Sequence, residues 1–308
     1  MAILLYNGEY GTDAWCEAIH AQLPHETLYL YPDIPDKAQI EYAAVWDIPP
    51  GELATYPNLK AILILGAGGD FLLKDDRLPA VPIVRLVDES VVRDMVQYCQ
   101  YWVTHYYRRF DRYAQQQLAH HWHREEYPPL SEYRVGVLGL GTIGTQVARS
   151  LSDSGYSVSA WVRSARDTEG LTLYSGADQF DAFMTNLDLL INVLPLTPDT
   201  DSFLNLDRLR LLPRGAKVIN ISRGAVMDEQ ALKTLLDTGH LSGAALDVFA
   251  QEPLPPQSWM WQHPKVCITP HSSGQTFART AVHSLVNNIR RIEAGETPFP
   301  LFDRNSGY

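Results

Sequence analysis

Tyr133-Arg134-Val135-Gly136-Val137-Leu138-Gly139-Leu140-Gly141-Thr142-Ile143-Gly144 is the stretch on which the reading of this chain turns. Val135 to Leu138 is a short apolar run of β type that leads directly into Gly139, Gly141 and Gly144. A helical pattern follows, with Ile143, Val147, Ala148 and Leu151 at helical spacing. Strand, tight turn and helix in that order are the setting in which G-x-G-x-x-G signifies a dinucleotide-binding turn. The first glycine permits the turn, the second lets the backbone approach a pyrophosphate, and the third lets helix and strand pack closely. The helix start at Thr142 and Ile143 offers free N–H groups and the positive end of a dipole to the phosphates.

The rest of the composition agrees with an ordinary globular protein. A chain of 308 residues can bury a large core, and that length suggests about two domains. It contains no apolar run of membrane-spanning length. The opening Met1-Ala2-Ile3-Leu4-Leu5-Tyr6 lacks a basic flank and reads as a first strand, not as a signal peptide. Cys16, Cys99 and Cys267 are few, scattered and odd in number, as expected for buried thiols in a reducing, cytoplasmic setting. A formal net charge of −11 disfavours nucleic acid or an anionic membrane as partner. An anionic substrate then needs locally placed positive groups.

Upstream of the fingerprint, short apolar or β-rich runs at Ile3–Tyr6, Thr27–Leu30, Ala43–Trp46, Ala61–Leu65 and Ile83–Leu86 alternate with helical or turn segments such as Asp13–Leu23 and Gly51–Tyr56. Such alternation predicts a parallel sheet with helices on its faces. The loop Leu65-Gly66-Ala67-Gly68-Gly69-Asp70 follows a strand, and its glycines can present backbone N–H groups to a small anion. From Ser90 to about Gln117 the pattern predicts one long helix linking the two domains. His120-His121-Trp122-His123 invites a metal reading. The histidine spacing does not share one helix face, so a solvated linker is expected and no metal site.

Downstream, Val158 to Val162 reads as the second strand of the nucleotide fold. Its end is where an acid would hold the ribose of NAD. The residues there are Val162, Arg163, Ser164 and, slightly beyond, Arg166. A carboxylate would repel a 2′-phosphate, whereas a guanidinium and a hydroxyl would bind one. The expectation is therefore NADP(H) in preference to NAD(H). Later strands at Leu189–Leu194, Lys217–Ser222, Ala244–Val248 and Val266–Thr269 each end in a distinctive loop. In a doubly wound sheet these loops line the ligand crevice. They bring Arg223, Glu252 and His271 to one sheet edge. Histidine suits proton delivery near neutral pH, a carboxylate on its other ring nitrogen fixes the ring and favours imidazolium, and a guanidinium can clamp a carboxylate through two parallel hydrogen bonds.

These motifs together resemble the D-isomer-specific 2-hydroxyacid dehydrogenases, and most nearly the bacterial glyoxylate/hydroxypyruvate reductase A subgroup. The matching stretches are Leu65–Asp70, Gly139–Gly144, Trp161–Ser164, Leu194–Thr200, Asn220–Gly224, Leu246–Pro255 and Thr269–His271, with the ending Asp303–Tyr308. The resemblance implies an α/β protein of two domains, both with parallel sheets. One is a flavodoxin-like substrate domain of residues 1–98 and 275–308, completed by a C-terminal helix, and the other an NADP-binding Rossmann domain of residues 99–274. It implies hydride transfer that reduces glyoxylate to glycolate and hydroxypyruvate to D-glycerate, with His271 as general acid, Glu252 as its partner and Arg223 on the substrate carboxylate. Gly68 and Gly69 would hold that carboxylate through backbone N–H groups, and Trp46 would line the pocket. Asp247 would contact the nicotinamide carboxamide, and Leu194, Pro195, Thr200, Ile221 and Arg223 would join the cofactor site. A homodimer is the usual assembly.

Ser272-Ser273 departs from the family pattern, in which an apolar residue and a small one are common, and bears on which substrate is preferred. Two other readings stand beside this one: an enzyme of the same group acting on a bulkier 2-oxo acid or of phosphoglycerate type, and a non-catalytic dinucleotide-sensing protein. The absence of a further regulatory domain after residue 308 weighs against the phosphoglycerate type.

Overall fold

The computed structural model describes residues 1–165, 168 and 170–304. In chain order the elements are β1 (Ala2–Asn7), α1 (Asp13–Gln22), β2 (Thr27–Leu30), β3 (Tyr42–Trp46), β4 (Ala61–Ile64), β5 (Ile83–Val84), α2 (Glu89–Tyr107) and α3 (Phe110–Leu118). Then follow β6 (Arg134–Leu138), α4 (Thr142–Asp153), β7 (Ser157–Val162), β8 (Thr172–Ser175), α5 (Phe180–Met184), β9 (Leu189–Asn192) and α6 (Leu206–Arg210). The chain ends with β10 (Lys217–Asn220), α7 (Glu229–Asp237), β11 (Gly243–Leu246), β12 (Val266–Ile268) and α8 (Ala278–Glu293). Two compact units result, Met1–Val91 with Gln275–Tyr308, and Val92–Gly274. The chain passes from the first to the second within α2, a few residues before the 98/99 division expected from sequence.

The first unit is a five-stranded sheet in the order β2-β1-β3-β4-β5, with every pairing parallel. Strands buried on both faces read as continuous apolar runs, and Ile3-Leu4-Leu5 shows why. Ile3 and Leu5 face a core shared with Trp15 and Ile19 of α1 and with Ala281, Leu285 and Ile289 of α8. Leu4 faces the opposite core with Val45, Ile62, Leu72 and Phe302. The C-terminal segment therefore returns to this unit twice, once as a covering helix and once as an antiparallel bridge between Leu301 and Val84.

The second unit is a seven-stranded parallel sheet in the order β12-β11-β10-β9-β6-β7-β8. Strand order reverses between β6 and β9, which is the switch point where such sheets open a ligand crevice beyond their carboxyl ends. Among the described residues, no helix is long and apolar enough to cross a membrane.

One sequence expectation needs correction here, and one strand was not anticipated. The single helix from Ser90 to Gln117 is two helices, because Arg109 adopts a left-handed conformation (φ 60°, ψ 29°) between α2 and α3. The apolar face changes at that point: Tyr106 and Tyr107 are buried, while Phe110 is exposed. The edge strand β8 has no counterpart in the sequence reading, since its residues are half-buried or exposed and give no apolar run.

Candidate active site at the carboxyl edge of the seven-stranded sheet

The glycine turn has the geometry its sequence requires. Gly139 sits at φ 98° and its N–H donates to the Trp161 carbonyl at 2.9 Å, tying the end of β6 to β7. Gly144 packs so closely that a Cβ there would stand 2.0 Å from the Gly139 carbonyl oxygen. At Gly141 a Cβ would meet nothing within 4 Å, so the turn presents bare backbone to open space. Helix α4 starts there without a side-chain cap, and its first N–H groups are left for an anion. The residues present thus fit the pyrophosphate of a dinucleotide. Gly144→Ala is expected to lower stability by about 1–3 kcal/mol through forced displacement of the turn, and to weaken dinucleotide binding. Urea denaturation and a cofactor titration of the variant would show both, and an unchanged midpoint would contradict this packing.

Strand β7 ends at Val162, and Arg163 and Ser164 follow it into solvent. The Arg163 guanidinium lies 3.6 Å from the Asp199 carboxylate. Arg166 lies outside the described residues. Asp199 belongs to the loop after β9, which is braced by Thr200: its hydroxyl accepts from the Thr197 N–H at 2.7 Å and donates to the Pro195 carbonyl at 2.6 Å. Beneath this loop lies a buried polar cluster that the sequence reading did not assign. Asn192 Nδ2 donates to Asn220 Oδ1 at 3.0 Å, Asn192 Oδ1 accepts from the Leu194 N–H at 3.2 Å, and the Ser222 hydroxyl donates to the Leu194 carbonyl. These contacts lock the ends of β9 and β10 together, next to Ile221 and Arg223. Asparagines closing the apolar runs Leu189–Ile191 and Val218–Ile219 were the signal that could have marked them.

Arg223 follows β10 in extended conformation and donates from Nη1 to the Ser222 carbonyl at 2.9 Å. Glu252 and His271 meet directly, with His271 Nδ1 2.7 Å from Glu252 Oε2. The other Glu252 oxygen accepts the Phe249 N–H at 2.9 Å. Burial pushes the Glu252 carboxyl upward, but the His271 hydrogen bond, the Phe249 N–H and the positive charges of His271 and Arg223 outweigh it and hold the group below its ordinary value. The carboxylate therefore accepts, and Nδ1 carries the proton. Nε2 has no hydrogen-bond partner among the described residues and remains for a ligand.

His271 itself lies at φ 51°, a left-handed conformation that is rare outside glycine. Strain of this kind persists only where the surroundings over-determine it, and Asp247 is what does so. The His271 N–H donates to the Asp247 carbonyl at 2.8 Å, and the Ser272 and Ser273 N–H groups donate to its carboxylate at 2.8 and 2.9 Å. Asp247 is fully buried, so its carboxylate serves as an internal brace of the histidine loop. Ser272 and Ser273 serve that brace through backbone N–H groups, which any residue but proline supplies.

In the first unit, Trp46 and the glycine loop form one packed feature. A Cβ on Gly66 would fall 2.4 Å from the Trp46 ring, so the ring lies flat on that glycine. The ring also packs at 5.4 Å against Phe71. Gly69 is buried against Phe302 and Ile64, whereas Gly68 is half-buried. His120, His121 and His123 are exposed, and among the described residues no group of three or more His, Cys, Asp or Glu is placed to hold a metal.

A doubly wound parallel sheet with this glycine turn, and with arginine, glutamate and histidine loops at the same edge, defines a nicotinamide-dinucleotide oxidoreductase. Residues 101–273 match the model of the D-isomer specific 2-hydroxyacid dehydrogenase NAD-binding domain. The whole chain superposes on a D-isomer specific 2-hydroxyacid dehydrogenase from Xanthobacter autotrophicus in complex with NADPH and MES. The two share 37% identity with a TM-score of 0.95, covering 100% of this chain and 99% of that one. It is similarly close to an NADPH-dependent glyoxylate/hydroxypyruvate reductase from Sinorhizobium meliloti in complex with NADP and sulfate (31% identity, TM-score 0.92, coverage 100% and 99%). A probable 2-hydroxyacid dehydrogenase from Rhizobium etli in complex with NADP, HEPES and L(+)-tartaric acid matches at 29% identity and a TM-score of 0.93, with coverage of 100% and 99%. The chain belongs to the D-isomer specific 2-hydroxyacid dehydrogenases.

Proposed function

We propose that this protein is an NADPH-dependent reductase of small 2-oxo acids, turning glyoxylate into glycolate and hydroxypyruvate into D-glycerate. The observation that carries the reading is the 2.7 Å pair of Glu252 and His271 at the strand edge that also bears the glycine turn. The NADP complexes of the Xanthobacter, Sinorhizobium and Rhizobium proteins support the choice of cofactor, as does the lack of an acid after Val162.

Reduction of a 2-oxo acid needs a hydride at C2 and a proton at the carbonyl oxygen. When bound, NADPH supplies the hydride. Gly139, Gly141, Thr142, Ile143 and Gly144 would hold its pyrophosphate, and Arg163 and Ser164 its 2′-phosphate. Arg223 clamps the substrate carboxylate and favours the negative charge growing on the carbonyl oxygen. His271 delivers the proton from Nε2, while Glu252 fixes the ring through Nδ1 and stabilises the imidazolium that does so. By the family resemblance, the backbone N–H groups of Gly68 and Gly69 would take part in binding a substrate carboxylate.

By the family resemblance, Trp46 would line the substrate pocket and limit the space for the substrate side chain. Trp46→Ala is expected to raise kcat/KM for branched 2-oxo acids relative to glyoxylate. The test is a panel of 2-oxo acids scored by kcat/KM with NADPH and NADH, in wild type and Trp46→Ala. Better wild-type activity on a branched acid than on glyoxylate would reject the small-substrate assignment.

A further inference from the structure

The Asp247 brace does not end at Asp247. Thr269 Oγ1 donates to Asp247 Oδ1 at 2.6 Å. A hydroxyl has one proton, so the same oxygen can only accept in its other contact, with the Tyr98 hydroxyl at 2.7 Å. The direction of the chain is thereby set: Tyr98 donates to Thr269, and Thr269 donates to Asp247. Tyr98 lies on α2, 171 residues away in sequence from Thr269. It rests at 6.1 Å against Trp102, one helical turn further on. The carboxylate at the end of the chain is fully buried and receives the N–H groups of Ser272 and Ser273, the two residues after His271.

We propose that Tyr98 and Thr269 are positioning residues for the reduction, holding His271 in its left-handed conformation through Asp247. The physical ground is that a buried carboxylate is costly unless its lone pairs are occupied. Each donor it receives fixes its orientation, and linked hydrogen bonds strengthen one another in a low-dielectric interior. Loss of the Tyr98 hydroxyl leaves Thr269 Oγ1 without its donor and frees that hydroxyl to turn. The Thr269 bond to Asp247 is then no longer oriented and strengthened by a second donor, whereas Thr269→Val removes that bond outright. This inference rests on the assignment of His271 as proton donor.

The test uses the full chain as Tyr98→Phe, Thr269→Val and Thr269→Ser. Tyr98→Phe keeps the ring, and Thr269→Ser keeps the hydroxyl. Two readouts are needed: hydrogen exchange of the Ser272 and Ser273 backbone amides, and the split of kcat from KM and from NADPH affinity in glyoxylate reduction. In Tyr98→Phe and Thr269→Val, exchange at both amides is expected to accelerate and kcat to fall, each roughly two- to tenfold, as for loss of one buried hydrogen bond. NADPH affinity should stay constant, and Thr269→Ser should restore both quantities. Unchanged exchange, or faster exchange with kcat unaltered, overturns the proposal. Should His271→Ala turn over normally, the His271 assignment is what fails, and the exchange data still report on the brace.

Discussion

His271→Ala is expected to lower reductive turnover by roughly 10²–10⁴-fold while leaving NADPH affinity close to wild type. Among the described residues the ring's hydrogen bond goes to Glu252, and the pyrophosphate turn is built from Gly139 to Gly144. Its removal therefore takes away the proton donor and spares the nucleotide. Glu252→Gln separates charge from shape: the amide oxygen can still accept from Nδ1, but the charge that favours imidazolium is gone. Reductive kcat/KM is expected to fall as pH rises, because the step consumes a proton, and in Glu252→Gln this falling limb should move to lower pH. Oxidation of the hydroxy acid should show the reverse trend. The acid side follows from the lowered Glu252 carboxyl. A carboxyl held below its unfolded value stabilises the fold at pH above that value and loses this contribution as pH falls through the folded one. Wild type should thus lose this part of its stability on acidification, and Glu252→Gln should not. Near-normal turnover in His271→Ala would remove the proposed acid, and an unshifted limb in Glu252→Gln would dissolve the pair.

The second large effect concerns the cofactor. NADPH should be preferred over NADH, and Arg163→Ala should narrow the gap by roughly ten- to a hundredfold, the equivalent of a charge-assisted contact of about 1.5–3 kcal/mol. Arg163 stands at the end of β7 where an NAD-binding fold places its acid, and its nearby carboxylate, Asp199 at 3.6 Å, reaches across from the neighbouring loop. The change should lie in the KM for NADPH and disappear when NADH is the reductant. The measurement is kcat/KM with each cofactor for wild type and variant. Equal use of NADH and NADPH by wild type would overturn the assignment.

How much of this was legible in the sequence depended on whether a residue type carried its own constraint. Gly139 and Gly144 did, because a positive φ and a 2.0 Å approach admit only glycine, so the fingerprint located the nucleotide turn directly. The absence of an acid after Val162 was equally legible, as were Glu252 and His271, each delivered to the edge by its own strand. Arg109 carried no such mark: neither glycine nor proline announces the break between α2 and α3. Strand β8 was hidden because an edge strand need not be apolar. Asp247 was legible only through the resemblance, as a contact to the nicotinamide carboxamide. That its carboxylate also takes the Thr269 hydroxyl and the Ser272 and Ser273 N–H groups shows only in the folded loop. Tyr98 was invisible for a related reason: its partner is reached only when α2 and β12 are folded together.

The most direct test of the account is the initial rate of NADPH oxidation by the purified wild-type protein with glyoxylate as the only 2-oxo acid, repeated with NADH and with hydroxypyruvate. The account predicts saturable turnover of both acids, with a higher kcat/KM for NADPH than for NADH. Tight NADPH binding without turnover of either acid would contradict it.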